Sequence, residues 1–589
     1  MATHRLFGEP PLIEFRPSHS HCSDCQQALK AQKSHTRMVS TLHIGKFRAR
    51  ATIRACPQCD RVYRSEELGR LVPPGANFGY DVLVYAGKAL WLRCRGEDEV
   101  VAELAQKNVL ISPREVSLLG MKFIVYLAIA HHRRAPDIMA GMRTRGGYIC
   151  HLDATCEGRD PLLMSSIDAL SEIILGSVKL PAENEEHIAP FLERIKNTFG
   201  IPLALVHDMG KGILKAVKRV FPDVPDYVCH FHFLRDIGKD FLGGEYDTIR
   251  RQLRKHGITA GLRWRARQFK DAIDRNPELI NALQSVITNA WLPDQACPSL
   301  PVINAYTLIH WALQGKSEGN GYGFPFDHPH LAFAKRIRVL HAEAEKLQPI
   351  QLRGEWKDTI PYFKIHTTLK AVMKDRTLWD AVDALEAKTF VFEKLRAAMR
   401  IAPQSGRHGL NDDGQKGNIR AIEQRVNAFC AWVTSRKEYP RNRADQKTIE
   451  QIDKYKAKLF AEPISVQTPS GAILIQPQRT NNILERFFRD LKRANRRKTG
   501  NASAGRMLRA ILAETPLVRN LENPDYMKIL LNGKTSLEDL FAETDIVTLR
   551  KEFIKAQSDP EKILAKLKPL ISMPDYPEKL VEMIQKAVA

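Results

Sequence analysis

The sequence has no apolar run long enough to cross a bilayer. Its longest near the front, Phe123 to Ala130, is eight residues, against about 20 for a spanning helix, so no membrane partner is expected. The opening stretch, MATHRLFGEPPLIEF, lacks a basic-then-apolar leader, and no export signal is expected from it. Cysteine is scarce, ten in 589 residues, which excludes a scaffold built on disulfides. No internal repeat and no long low-complexity tract is present, which excludes a solenoid. Acidic residues are the minority: 67 Asp and Glu stand against 89 Lys and Arg, a formal charge of +22. That excess fits a polyanionic partner, and nucleic acid is the usual one; a merely soluble basic protein is the plain alternative. With 44% apolar residues the chain can bury sizeable cores, and a cytoplasmic protein of about three to five domains is expected.

Four of the ten cysteines form two C-x-x-C pairs, Cys22 with Cys25 and Cys56 with Cys59. Two such pairs supply the four sulfurs of a tetrahedral Zn2+ site. The 30 residues between the pairs exceed the usual spacing of roughly 15–20. They hold a strand-like alternation in which Phe47, Ala49, Ala51 and Ile53 interleave with Lys46, Arg48, Arg50 and Arg54. This predicts a zinc ribbon with one basic face, whose Lys46, Arg48 and Arg50 are DNA-binding candidates. A redox role fits less well, because the pairs do not sit in a βαβ pattern.

Two helices are predicted over residues 97–134. The second opens on Ser112, Pro113 and Glu115, an N-cap with a capping box, and continues with Val116, Leu119, Phe123 and Leu127 as an apolar stripe. Such a pair is a helix-turn-helix that reads DNA or an αα-hairpin that only packs. Residues 147–240 then read β-β-β-α-β-α-β-α, the order of the ribonuclease H-like fold, a mixed sheet flanked by helices. From 241 to 470 strand alternation is not evident and amphipathic helices dominate. Trp291 and Trp311 in that stretch read as core residues rather than base-stacking platforms.

Asp153, in HLDAT, falls at the end of the first strand of that order, and Asp208, in LVHDMGKG, at the end of a later one. Neighbouring strands would bring the two carboxylates together, and hard oxygen ligands suit Mg2+ or Mn2+. Asp208 before a helix is equally a good cap. A third carboxylate, Glu485, lies on a helix whose apolar stripe is Leu484, Phe487, Phe488 and Leu491. Arg489, Lys492 and Arg496 share its side of that helix. This face suits a phosphate backbone beside a metal site, or it is a solvated surface with Glu485 closing a capping box from Asn482. Cys229 and His232 form a C-x-x-H that suits one edge of a metal site; a buried Cys and a hydrogen-bonded His at a helix start is the other reading.

Through HLDAT, LVHDMGKGILKAVKRVFPDVPDYVCHFH and TNNILERFFRDLKR, the chain resembles DDE-type insertion-sequence transposases of bacteria, in the Mutator-like group that carries a C-x-x-H motif. The resemblance covers residues 150–515, and an N-terminal zinc ribbon is typical of related elements. It implies Asp153, Asp208 and Glu485 as the catalytic acids, which hold Mg2+ or Mn2+, with Cys229 and His232 associated with the site. It implies a helical insertion before Glu485, DNA as partner (terminal inverted repeats and target), a homo-oligomer on DNA, and association with the nucleoid. The expected organisation is an α/β multidomain chain: a zinc ribbon over 1–70, a helix-turn-helix-like DNA-binding region over 71–145, and the ribonuclease H-like core over 146–245. An all-helical insertion over 246–470, the catalytic Glu helix over 471–515 and a C-terminal helical region over 516–589 complete it. The function expected is two-metal-ion strand cleavage and strand transfer at the element's ends. A catalytically retired transposase acting as a DNA-binding regulator is one alternative, and a ribonuclease H-like nuclease that only cuts is the other.

Overall fold

A computed structural model describes residues 9–158, 160–289, 300–353, 360–403, 418–557 and 573–588. The protein is a mixed α/β chain of two compact units, Met1–Tyr227 with Pro463–Ala589, and Val228–Glu462.

The first unit begins with a four-stranded sheet. β1 (Leu12–Phe15) pairs parallel to β3 (Gly45–Ala55), which also pairs antiparallel to β2 (Lys30–Thr41) and β4 (Val62–Tyr63). The alternation read in the sequence is the alternation of β3. Phe47, Ala49, Ala51 and Ile53 are buried while Lys46, Arg48 and Arg50 are exposed. Phe15, Val39, Leu68 and Val72 join the inward residues in a small core of their own.

A five-stranded sheet follows, in the order β7-β6-β5-β8-β9. Its strands are β5 (Ile149–Thr155), β6 (Leu162–Asp168), β7 (Ile174–Leu180), β8 (Ala204–His207) and β9 (Asp226–Val228). β5, β6 and β7 are antiparallel neighbours, and β5 pairs parallel to β8. The helices Glu185–Phe199 and Lys211–Val220 separate β7 from β8 and β8 from β9. The β-β-β-α-β-α-β succession predicted from 147 onward is thus found element by element. It follows from the sequence because the strands are rich in apolar residues and buried along almost their whole length, as strands with both faces covered must be.

Two expectations are corrected here. The helix Pro113–Arg133 is capped as predicted, with Ser112 Oγ accepting the Glu115 amide at 3.2 Å. It is not available to enter a DNA groove, however. Val116, Leu119, Phe123, Ile124, Val125, Tyr126, Leu127 and Ala130 are all buried in the largest core of the unit, together with residues of β5–β7 and of the 483–549 stretch. A recognition helix needs an exposed face, and this one is exposed only at its ends. Residues 71–145 therefore share the core of the sheet. The second correction concerns the stretch 246–470, read as all helical. β10 (Ile464–Thr468) and β11 (Gly471–Ile475) form an antiparallel hairpin in the first unit, and the second unit runs from Val228 to Glu462. Ile464, Val466 and Ile475 of the hairpin pack with Ile149, Ala204 and Val206 on one face of the five-stranded sheet.

In the second unit the long elements are helices, led by His230–Lys255, Pro329–Arg353 and Arg376–Met399. Trp311 is not a core residue: it is 38% exposed with the Arg336 guanidinium 5.0 Å from its ring. Trp291 lies outside the described residues.

The tight seat of Pro113–Arg133 can be tested. A Cβ placed on Gly87, in the facing helix Tyr80–Trp91, would fall inside the Phe123 ring. Gly87→Ala should lower stability by about 1–3 kcal/mol, the usual cost of overpacking, although alanine is the better helix former; an unchanged denaturant midpoint would contradict this packing.

Candidate metal centres

The four predicted zinc ligands come together. The sulfurs of Cys22, Cys25, Cys56 and Cys59 all lie within 4.8 Å of one another. Cys22 to Cys59 is 3.5 Å, Cys25 to Cys56 is 3.3 Å and Cys25 to Cys59 is 4.0 Å. Zn–S bonds of about 2.3 Å in a tetrahedron require sulfurs about 3.8 Å apart, so the cluster has the size of a zinc site.

Two near-identical turns build it. In the first, the Cys22 amide donates to Gln27 O (2.8 Å) and the Gln26 amide to Cys22 O (3.0 Å). In the second, Cys56 donates to Arg61 O (2.9 Å) and Asp60 to Cys56 O (3.0 Å). Gln26 and Asp60, each just after its C-x-x-C, are left-handed, with φ of 58° and 55°. These are the reversals that fold two thiols back toward one point. Tyr63, which the sequence reading did not single out, completes the surroundings: its hydroxyl accepts the Ser23 amide (2.8 Å) and donates to Cys22 Sγ (3.3 Å). With the turn amides of Cys25 and Asp24 it pulls the Cys22 thiol down to about 6, toward the thiolate that binds metal.

The acidic residues form a second arrangement at the five-stranded sheet. Asp153 is buried on β5, its Oδ1 accepting the Ala154 amide at 2.7 Å. β5 and β8 run parallel with Ile149 beside Ala204, Cys150 beside Leu205 and His151 beside Val206. Carried two residues further, that register sets Asp153 beside Asp208, the first residue past β8. Ile149, Ala204 and Val206 share one face of the sheet, and alternation puts His151 and Asp153 on that same face. Asp208 is half-buried and folds its Oδ1 onto the Gly210 amide at 3.0 Å. Beneath it, His207 is fully buried; its Nδ1 donates to Asp208 O at 2.7 Å, and its Nε2 lies 3.4 Å from the Asp226 carboxylate.

Glu485 reaches this end of the sheet through Asn481. Asn481 is fully buried at the N-cap of the helix Asn482–Thr499. Its amide nitrogen donates to Leu152 O (2.7 Å), and its Oδ1 lies 2.9 Å from His151 Nδ1. An amide oxygen only accepts, so His151 carries its proton on Nδ1; burial holds that imidazole down at about 4, neutral at physiological pH. The helix carrying Glu485 is thereby fixed to the two strand residues just before Asp153. The capping-box reading of Glu485 from Asn482 is corrected: the cap is Asn481, and its side chain makes no cap hydrogen bond. Glu485 is half-buried in the first turn.

Unlike the cysteines, the three carboxylates do not converge within 4.8 Å as a set among the described residues. A further acid stands beside Asp208. Glu183, just before the helix Glu185–Phe199, is pushed up to about 7 by burial of its carboxyl and by the Asp208 charge. Gly210 and Gly212 make this approach possible, since a Cβ on either would strike Glu183. The sequence offers no spacing signal for Glu183; its place depends on a contact between separate segments.

The remaining predicted residues divide by exposure. Arg489, Lys492 and Arg496 are exposed on the Glu485 helix and carry no ion pair among the described residues, whereas Arg486, Arg493 and Lys498 pair with Glu172, Asp490 and Glu97. Lys46, Arg48 and Arg50 are exposed on one face of β3, Arg50 within 3.4 Å of Glu14. Cys229 and His232 are buried at the start of the helix His230–Lys255 in the second unit. His232 is held down at about 3 by burial and by Arg235 and Lys239, and so is a neutral imidazole.

The cysteine site makes the next prediction. The protein should bind one Zn2+ through the four thiolates, and Cys56→Ser should release it. Tyr63→Phe should lower zinc affinity roughly 10–100-fold, the usual effect of removing a hydrogen bond to a metal ligand. Metal analysis after competition with a chromogenic chelator measures both, and wild-type affinity in the Tyr63 variant would remove the hydroxyl from the account.

No protein-family model matches the chain, and no curated protein does.

Proposed function

We propose that the chain is a DDE-type DNA transposase that binds the ends of its mobile element and catalyses strand cleavage and strand transfer, working as a homo-oligomer on DNA. The observation that carries this reading is the backbone alignment of Asp153 with Asp208 at one end of the sheet, with the Glu485 helix anchored to the strand residues just before Asp153. The β5–β8 register aligns Asp153 with Asp208, and Asn481 ties the Glu485 helix to His151 and Leu152. The ribonuclease H-like assignment draws support from the β-β-β-α-β-α-β order and from the mixed sheet with β5 at its centre.

The donor set fits hard divalent cations, because all three groups offer carboxylate oxygen. Glu183 is raised first by burial of its carboxyl and then by the Asp208 charge beside it, and a bound cation would offset the second of these. Mg2+ or Mn2+ held by Asp153, Asp208 and Glu485 would supply the charge that activates an attacking oxygen and stabilises a leaving one. The chain's own residues do the positioning. Asn481 and neutral His151 hold the Glu485 helix in register, and His207 supports the Asp208 backbone. Arg489, Lys492 and Arg496 take phosphates of the bound strand. In the first step a water oxygen attacks the phosphodiester phosphorus and the 3′ oxygen leaves as a hydroxyl. In the second, that hydroxyl attacks a target phosphodiester and displaces the target's own 3′ oxygen. The exposed basic face of β3, with Lys46, Arg48 and Arg50, is a second DNA contact.

Asp153→Ala, Asp208→Ala and Glu485→Gln should each abolish cleavage of end-containing DNA in Mg2+ while leaving binding to those ends largely intact. A Glu485→Gln protein that cuts at the wild-type rate would remove Glu485 from the site, and intact cutting in all three would remove the reading.

The cations give a separate test. Replacing Arg489, Lys492 and Arg496 together by Gln should flatten the slope of log affinity against log salt by roughly two to three units, since each neutralised phosphate contributes nearly one. Binding should weaken about equally on every DNA sequence. An unchanged slope would make the three a solvated face.

A further inference from the structure

Between Asp247 and Asp271 the second unit has no acidic residue but eight Lys and Arg. The stretch is the corner where the helix His230–Lys255 turns, at Gly257 with its φ of 60°, into the helix Ile258–Asp274. Ile249, Leu253, Leu262, Ala266 and Phe269 are buried on its inner side. The cations are left outside: Arg251, Arg254, Lys255, Arg263 and Arg267 are exposed and carry no ion pair among the described residues. Elsewhere in the unit Lys335, Arg336, Arg338 and Arg420 face Glu386, Glu318, Asp383 and Glu462. The unbalanced charge runs across the corner. His330 is held down by burial and then by Lys316, Arg250 and Arg254, and Lys316 by burial and then by Arg263. Arg263 and Arg267 stand four apart, a spacing at which like charges on a helix repel.

An indole stands among these cations. Trp264 is 49% exposed, next to Arg263 and one helical turn before Arg267. The Arg265 guanidinium lies 4.4 Å from the centre of its ring. That guanidinium is itself held, Nε donating to Thr368 Oγ1 (3.2 Å) and Nη1 to Gln268 Oε1 (3.1 Å). The indole is thus backed by a fixed cation and open on its outer side. Exposed cations with an aromatic ring among them suit unpaired nucleotides, whose phosphates take the charge while a base stacks on the ring. In a duplex the bases are stacked on one another, and the ring would meet only sugar and phosphate. We propose that the corner between these two helices binds single-stranded nucleic acid, with one base on Trp264 and phosphates on Arg254, Arg263 and Arg267. The binding does not rest on the transposase reading; that the strand is DNA freed at the ends of a mobile element does.

The probe is an oligo(dT) of about 20 nucleotides, longer than typical single-strand sites, with 5-iodouracil at alternate positions. It is irradiated with the full chain without Mg2+, so that cutting has no part in the outcome. An oligo(U) substituted in the same way tells an RNA strand from a DNA strand. The strand should crosslink at Trp264, and a blunt duplex carrying the same substitution should not. Titrating that crosslink follows this site alone, apart from any other basic surface of the chain. Replacing Arg254, Arg263 and Arg267 together by Gln should weaken binding read in this way. It should also flatten the slope of log affinity against log salt by about two units, at about 0.7 for each phosphate on a single strand. All three side chains are exposed, so folding should survive. The proposal is overturned if neither oligonucleotide crosslinks at Trp264, if the duplex crosslinks there as strongly, or if the triple variant keeps the wild-type slope. A protein that binds a strand here and never cuts DNA would keep this site and lose the transposase reading.

Discussion

Everything at the acidic end of the first unit depends on one buried amide. Asn481 spends its nitrogen on the Leu152 carbonyl and its oxygen on His151, 330 residues earlier in the chain. Hydrophobic packing alone would not set the position of the helix that follows. Ile483, Leu484, Phe487 and Phe488 form its buried side, and apolar contact is non-directional. A slip of one helical turn would move Glu485 by about 5.4 Å while keeping much of that burial. Two directional bonds forbid the slip, because a buried amide left unsatisfied costs about 1–3 kcal/mol. The neutral state of His151 belongs to the same device: only with the proton on Nδ1 can the ring donate to an oxygen that cannot donate back.

What the sequence disclosed was local. The alternation along 46–54 is the pleat of β3 seen from its two faces. The runs ICHLDAT, LLMSSID and ILGSVKL read as strands because a strand covered on both faces is buried along its length. The two C-x-x-C pairs announced a cluster that the turns then close. What it concealed was either non-local or ambiguous in period. Pro113–Arg133 carries a helical stripe, yet whether a stripe faces a core or a groove depends on what packs against it, and here it is the centre of the core. The β10–β11 hairpin is legible in ISVQT and AILI, which flank a tight turn at Pro469 to Gly471, where Gly471 has a φ of 115°. Tyr63 and Asn481 left no mark, because their roles lie in hydrogen bonds to residues 41 and 330 positions away.

Glu183 extends the same lesson to the glycines. In HDMGKG, Gly210 and Gly212 look like ordinary turn residues. Their reason is across the fold: the chain at Glu183 and Asn184 comes so close that any side chain on either would collide. The approach sets a second carboxyl beside Asp208, where burial, and then the Asp208 charge, pushes Glu183 up. Crowded acids of this kind are costly in a bare protein. Folds retain them where a cation or a proton is part of the work.

The Glu485 helix shows a complementary cost. Arg489 and Lys492 stand three apart and Lys492 and Arg496 four apart, spacings at which like charges on a helix repel. Arg486, Arg493 and Lys498 are offset by Glu172, Asp490 and Glu97, but Arg489, Lys492 and Arg496, like Arg497, are exposed with no ion pair among the described residues. The helix dipole compensates only at the ends, where Glu485 in the first turn and Arg496 in the last are favourably placed; it does nothing for the middle of the row. A polyanion laid along that side relieves the repulsion and releases its own counterions as it binds. The same helix therefore carries an acid at its start and a row of unbalanced cations along one side. Stability alone does not account for that combination; it is what the proposed reading asks of a helix beside bound DNA.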